Sequence, residues 1–244
     1  MTKAIDINAD LGEGFLYDAQ LMPMISSCNI ACGGHFGDTV SMRKTIRLAK
    51  KHHVKVGAHP SFPDTENFGR KVMEIEENIL FESLIKQMND FFNICKEENV
   101  RINHIKPHGA LYNLSATDEK INQLVLRAIE AVTTTTTIYH PSKSLFTETI
   151  QEKFTLKLEA FIDRSYTDNG QLAPRSLPNA LIVSPQKCLL QLVEMVTKNQ
   201  VTSINGAKVP LYAETFCIHG DNEHSLDILH YIHQHLKEHN IQVA

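Results

Sequence analysis

Seven short apolar runs, each followed by a knot of acidic, imidazole or cationic residues, recur along the chain with helical stretches between most of them. The runs are residues 4–8 (AIDIN), 28–32 (CNIAC), 54–58 (VKVGA), 101–105 (RINHI), 133–140 (TTTTTIYH), 156–162 (LKLEAFI) and 213–218 (AETFCI). Short apolar or β-branched segments of this length read as buried strands. Helical periodicity separates them. Met42, Ile46 and Ala49 share a face over 39–52, and Ile79, Leu80, Leu84, Ile85, Met88, Phe91, Phe92 and Cys95 follow a 3.6-residue spacing. Further helices are predicted at 118–131, at 185–198 behind the N-cap pair Ser184–Pro185, and at 222–238. Residues 201–204 and 208–212 flank Asn205–Gly206 and suit a small hairpin.

Alternating strands and helices imply a parallel sheet with right-handed crossovers. An open, doubly wound sheet would gather its polar residues at one switch point. Here they follow almost every strand, as in a closed barrel, whose active site is built from all the strand ends. The expectation is therefore an α/β fold, a parallel β/α barrel. No composition break divides the chain, so residues 1–244 are expected to form one domain.

Composition excludes several function classes. A net charge of −4 with scattered lysines gives no footprint for nucleic acid and no polybasic membrane patch. No apolar run reaches the roughly 18 residues of a spanning helix. The opening MTKAIDINADLGEG carries Asp6, Asp10 and Glu13, unlike a signal peptide, so the cytoplasm is the expected location. Five cysteines make no disulfide framework, and Cys28 and Cys32 lack the second pair of a zinc site. They are expected to be reduced and buried.

The polar knots are specific. The first strand runs into Asn8, Asp10 and Glu13, and the second into His35 and Asp38. The third leads to His59, Asp64 and Arg70, and the fourth to Lys106, His108, Tyr112 and Asn113. After the fifth comes His140. The sixth is followed by Asp163, Arg164, Tyr166, Pro174 and Arg175, and the seventh by His219 and Asp221. Any one of these is an ordinary loop residue. Gathered at one barrel mouth they are costly unless paired or serving a ligand, so a functional pocket is expected there. Lys106 is expected to point into this water-accessible pocket, with snorkelling along the rim as the alternative and little stability lost on its truncation. His230, His233, His235 and His239 read as a solvated helix face, and His52 and His53 as a helix end.

The segments IDINADLGEG, SCNIACGGHFGD, GAHPSFPDTENFGR, HIKPHGALYN, FIDRSY, LAPRS and CIHGDNEH, in this order, resemble the successive motifs of the LamB/YcsF family. Gly34 and Phe36 depart from the family's usual Phe and Ala. The resemblance implies a seven-stranded barrel like those of the glycoside hydrolase/deacetylase superfamily. It also implies one component of a three-part, ATP-hydrolysing 5-oxoprolinase, which opens the lactam of 5-oxo-L-proline to L-glutamate with two other subunits.

On that reading Asp10, Glu13, His35, Lys106, His108 and Asp163 are the catalytic candidates. His59, Arg70, Tyr112, Asn113, Arg164, Arg175, His219 and Asp221 are expected to bind substrate. Barrel relatives often hold a divalent metal with a first-strand Asp and two histidines, for which Asp10, His35 and His59 are the candidates. No G-x-x-x-x-G-K-[ST] loop is present, so ATP is expected to bind in a partner or at a shared interface. The rival functions are a stand-alone metal-dependent deacetylase or amide hydrolase, and a non-catalytic scaffold that only binds the substrate.

Overall fold

A computed structural model describes residues 2–244. Strands β1 (Lys3–Leu11), β2 (Ser27–Ala31), β3 (Lys55–His59), β4 (Ile102–Ile105), β5 (Thr137–Pro141) and β6 (Thr155–Phe161) pair parallel in chain order. An antiparallel hairpin follows, β7 (Gln200–Thr202) with β8 (Lys208–Pro210), turning at Asn205–Gly206. Strand β9 (Thr215–His219) then pairs with both β6 and β1 and closes the sheet on itself. The result is the expected closed parallel barrel of seven strands. At the closing seam Asp6 lies opposite Thr215, and Asp10 opposite His219.

The main outer helices are α2 (Thr39–Lys51), α3 (Glu77–Glu97), α5 (Glu119–Val132), α7 (Pro185–Lys198) and α8 (Ser225–His235), with short α1 (Asp18–Leu21), α4 (Gly109–Ser115) and α6 (Thr147–Gln151). Asp38 caps α2 in a capping box with Ser41, and Ser184 caps α7. The helices bury Met42, Leu84, Met88, Leu124, Leu192 and Ile228 against outward-facing strand residues such as Ile7, Ile30, Val56, Ile105 and Ile218. Each such side chain contributes about 1.5–3 kcal/mol. The apolar core therefore lies between barrel and helices.

The barrel interior is polar instead. Asp6, Asn8 and Asp10 alternate along β1 and point inward. Asp6 Oδ1 accepts hydrogen bonds from Ser27 (2.8 Å) and Thr215 (2.7 Å), while Lys157 Nζ lies 3.1 Å from Oδ2. One layer up, Asn8 donates to Glu159 and Thr215, each at 2.8 Å, and Asn29 donates to Asn8 and Asp10, each at 2.7 Å. His104 donates to Asn29 (2.6 Å) and stacks on Tyr139 at 3.8 Å. Burial pushes the His104 pKa down to about 3, so the ring is neutral. Its place requires Gly57, where a Cβ would come within 2.2 Å of His104 Nε2.

Several boundaries differ from expectation. β1 runs on to Leu11, and β5 begins only at Thr137, leaving the preceding threonines outside any strand. The predicted last helix ends at His235 and continues as a 3-10 turn over Leu236–His239. A short β10 (Ile241–Val243) then pairs with the start of β1, Lys3 opposite Ile241. All five cysteines are buried and free. Among the described residues no helix is long and apolar enough to cross a membrane.

Candidate active site

A cavity of about 620 Å³ opens at the C-terminal ends of the strands. At its floor Lys106, which is 2% exposed, reaches Asp10 Oδ1 (2.9 Å), Glu159 Oε1 (3.0 Å) and Cys217 Sγ (3.2 Å). Burial opposes ionisation of Asp10, but the Lys106 ammonium and His59 outweigh it and hold the carboxyl well below its usual range. Burial likewise acts against the ammonium, and Asp10 and Glu159 overcome it. Cys217 stays a thiol, because burial and Asp10 raise its pKa. The second oxygen of Glu159 accepts from Tyr112 at 2.6 Å. Lys106 thus points to the cavity floor and does not snorkel to solvent at the rim; it is a buried cation between two buried carboxylates, so the small stability cost expected of its truncation does not hold.

Four side chains meet beside this group. His59 Nδ1 donates to the Lys106 carbonyl (2.7 Å), and His108 Nε2 donates to the Phe68 carbonyl (3.0 Å). Carbonyls only accept, so each ring carries a proton on that nitrogen. The remaining nitrogens, His59 Nε2 and His108 Nδ1, face each other at 2.9 Å. Two bare lone pairs would repel at this distance, so a proton or a metal cation must lie between them. Asp10 Oδ2 is 3.5 Å from His59 Nε2, and Glu13 Oε1 is 3.4 Å from His108 Nδ1. Burial, then the charge of Asp10, raises the Glu13 pKa well above normal. His35 contacts it at 2.9 Å and stacks on His108 at 3.7 Å. Burial and His59 hold His35 neutral. Its Nδ1 is buried with no partner among the described residues.

Behind His219 on the far wall, Asp163 Oδ1 contacts His219 Nδ1 at 2.9 Å, and Oδ2 accepts from the His219 backbone and from Asn222. Burial opposes ionisation of Asp163, but His219 and these hydrogen bonds lower its pKa. The His219 ring stacks on Phe161. Nearer the mouth, Arg70 and Arg175 flank Asp221 at 2.5 and 3.8 Å.

Asp10, His59, Lys106, His108, Arg164 and His219 line the cavity, as do Arg70, Tyr112, Asn113 and Arg175. Glu13, His35, Asp163 and Asp221 do not reach its wall. They stand one layer behind, each bonded to a residue near or on it. The suggested metal trio of Asp10, His35 and His59 does not assemble. Among the described residues the convergent trios are Asp10, His59 and His108, and Glu13, His35 and His108. Asp38 is spent on its helix cap, Asp64 bonds the turn at Asn67, and His140 bonds Ser144. Asn8 lies deep in the barrel, and Tyr166 lines the cavity while accepting from the Phe161 backbone.

Residues 5–244, nearly the whole length, match the profile of the LamB/YcsF family. The chain belongs to that family. Relatives of this LamB/YcsF chain include proteins named as a subunit of 5-oxoprolinase. That of Haemophilus influenzae (strain PittEE) is 41% identical over 99% of both chains. That of Staphylococcus haemolyticus is 39% identical over 98% of both. Among solved structures, the lactam utilization protein from Thermus thermophilus aligns with a TM-score of 0.90 at 31% identity, over 98% of each chain. A family 4 carbohydrate esterase from Streptomyces lividans shares the fold alone, with a TM-score of 0.53 at 8% identity over 99% of this chain and 92% of that one.

Two features of this family member escape a reading of its sequence. Glu159, the counter-ion of Lys106, is hidden inside the apolar run LKLEAFI; a lone carboxylate mid-strand is its signal. Gly34 also has a packing reason. A Cβ there would come within 2.5 Å of Gln87 Oε1, whose amide clamps the Ser61 backbone behind His59. Neither Gly34 nor Phe36 lines the cavity.

Proposed function

We propose that this chain is the lactam-binding component of an ATP-dependent 5-oxoprolinase that works with partner subunits. The observation that carries the reading is a cavity joining a caged ammonium, an oriented imidazole and guanidinium groups, in a chain whose full-length relatives bear that name. A lactam is a stable amide. Phosphorylating its oxygen with ATP makes that oxygen a leaving group, and water then attacks the carbon. Asp163 fixes the His219 ring, as the carboxylate does in a catalytic triad, so His219 is the proposed base for water. Glu13 is unsuited to that role, standing behind the wall of the cavity. Lys106 holds the Asp10 and Glu159 carboxylates in fixed positions on the cavity floor. Tyr112 and Asn113 shape the substrate's bed, and the arginines take its anionic groups.

Asp10, His59 and His108, with Glu13 alongside, suit a divalent cation: their free lone pairs converge, and backbone carbonyls orient both rings from behind. A cation held there would act as a Lewis acid toward the lactam carbonyl. We expect Co(II) to bind the purified chain at one equivalent with visible absorption. At a hundredfold excess over Kd it should stabilise the fold by about 2.7 kcal/mol, a melting shift of roughly 5–10 °C. His108→Ala should remove both signals. If the wild-type chain gives neither, a shared proton, not a metal, joins the two rings.

The functional test is glutamate release from 5-oxoproline with and without ATP and with and without co-purified partner subunits. The chain alone should be inactive, and the assembly active only with ATP. Lactam hydrolysis by the chain alone without ATP would overturn the reading in favour of a stand-alone metal hydrolase. Full turnover in assemblies carrying His219→Ala would favour a passive scaffold.

A further inference from the structure

Strand β6 ends at Phe161, and the three residues after it carry Asp163 and Arg164 into the site. Backbone that leaves a sheet must find new partners for its carbonyls. The carbonyl of Asp163 accepts from the Ile182 backbone at 2.9 Å. Those of Phe161, Ile162 and Arg164 converge on one atom. Gln191 Nε2 lies 3.0, 3.1 and 2.9 Å from them and donates to this group. A primary amide carries only two hydrogens, so at least one is shared. Among the described residues no other side chain donates to the carbonyls of residues 161–164.

Gln191 sits on α7 in the stripe of Cys188, Leu192 and Met195, which is buried against the barrel. An apolar side chain would suit that stripe better, so the amide needs another reason. It does not line the cavity. What it holds is the backbone on both sides of Asp163, the residue whose carboxylate meets the His219 ring at 2.9 Å and the His219 backbone at 3.2 Å.

We propose that Gln191 is a positioning residue for the reaction, acting from the outer helix through Asp163 on His219. The proposal rests on the reading of His219 as the base for water. With Nδ1–H given to Asp163, Nε2 is the nitrogen that accepts the proton. Without the clamp, three carbonyls lose their donor and the exit of β6 turns to find others. Asp163 then leaves its line with the ring, and His219 loses its fixed tautomer and aim.

Two substitutions of nearly equal size test this. Gln191→Met cannot donate, and Gln191→Glu donates only while protonated. In the assembled enzyme Gln191→Met should lower kcat by about tenfold to a hundredfold and leave KM within about twofold. The carbonyls around Gln191→Glu disfavour its charged form and raise its pKa. Its turnover relative to wild type should therefore be lowest near about pH 8 and recover toward about pH 6, and its melt should fall in the same direction as pH rises. A second readout needs no substrate. Nitrogen NMR of the isotope-labelled chain, with the His219 signal assigned by His219→Ala, should show one tautomer protonated on Nδ1 in wild type and a mixture in Gln191→Met. Unchanged kcat in Gln191→Met, or a loss in Gln191→Glu that ignores pH, would overturn the proposal. So would a single Nδ1–H tautomer retained in Gln191→Met, which would leave the clamp a purely structural contact. A tautomer shift in a chain whose assemblies never open the lactam would uphold the positioning role and sink the lactam reading instead.

Discussion

Replacing Lys106 with methionine should cost the assembled enzyme at least about tenfold in kcat/KM and lower the melting temperature of the chain by roughly 6–20 °C. The second effect follows from what the ammonium holds apart. Asp10 and Glu159 lie within 3.0 Å of it and are themselves buried. Removing one member of such a set strands the opposite charges in a medium that solvates them poorly, at about 3–5 kcal/mol. Adding Glu159→Gln to Lys106→Met should recover part of the lost stability, since one stranded charge disappears. The double-mutant cycle should show coupling of about 1 kcal/mol or more. A Lys106→Met melt within about 2 °C of wild type would show that the cage contributes nothing to folding.

Gly220→Ala should be nearly as damaging, for a steric reason. A Cβ at residue 220 would come within 2.2 Å of the Asp10 carbonyl oxygen. That oxygen belongs to the backbone of β1 at the closing seam, so no side chain can swing aside. Accommodation requires β9 and β1 to separate, at about 1–3 kcal/mol for an overpacked site. The same shift moves the Asp10 carboxylate, and a displacement of about 1 Å at a reacting centre can cost about a hundredfold in rate. Turnover of the assembled variant should fall on that scale, and Co(II) should bind more weakly than to wild type. Wild-type turnover together with a wild-type melt would mean that the seam has slack.

The barrel was legible because its signal is repeated. A polar residue at one strand end is uninformative, but the same event after each of seven runs fits a closed sheet better than an open one. What the sequence concealed is the direction of the polar face. In β1, Asp6, Asn8 and Asp10 alternate with Ile5, Ile7 and Ala9, a pattern that ordinarily marks one wet and one dry face. Here the apolar face meets the helices and the polar face fills the barrel, where cross-strand partners satisfy it. Those partners are distant in sequence, Asn8 with Glu159 for example, so no local window could pair them. The ordering of site residues into a wall and a layer behind was hidden for the same reason. His108 and His35 are equally plausible metal ligands as letters, and only the carbonyls behind His59 and His108 show which nitrogens are free.

The seam between β1 and β9 also governs how such a chain must be made. One long edge of β1, Asp6 to Asp10, finds its partner only in Thr215–His219. On a ribosome that edge, with its inward carboxylates, stays unpaired until almost the whole chain has emerged. Unpaired strand edges are templates for association with other chains, and contacts of such sequence separation form slowly. Yield from overexpression should therefore depend more on chaperone supply and synthesis rate than on the stability of the finished barrel.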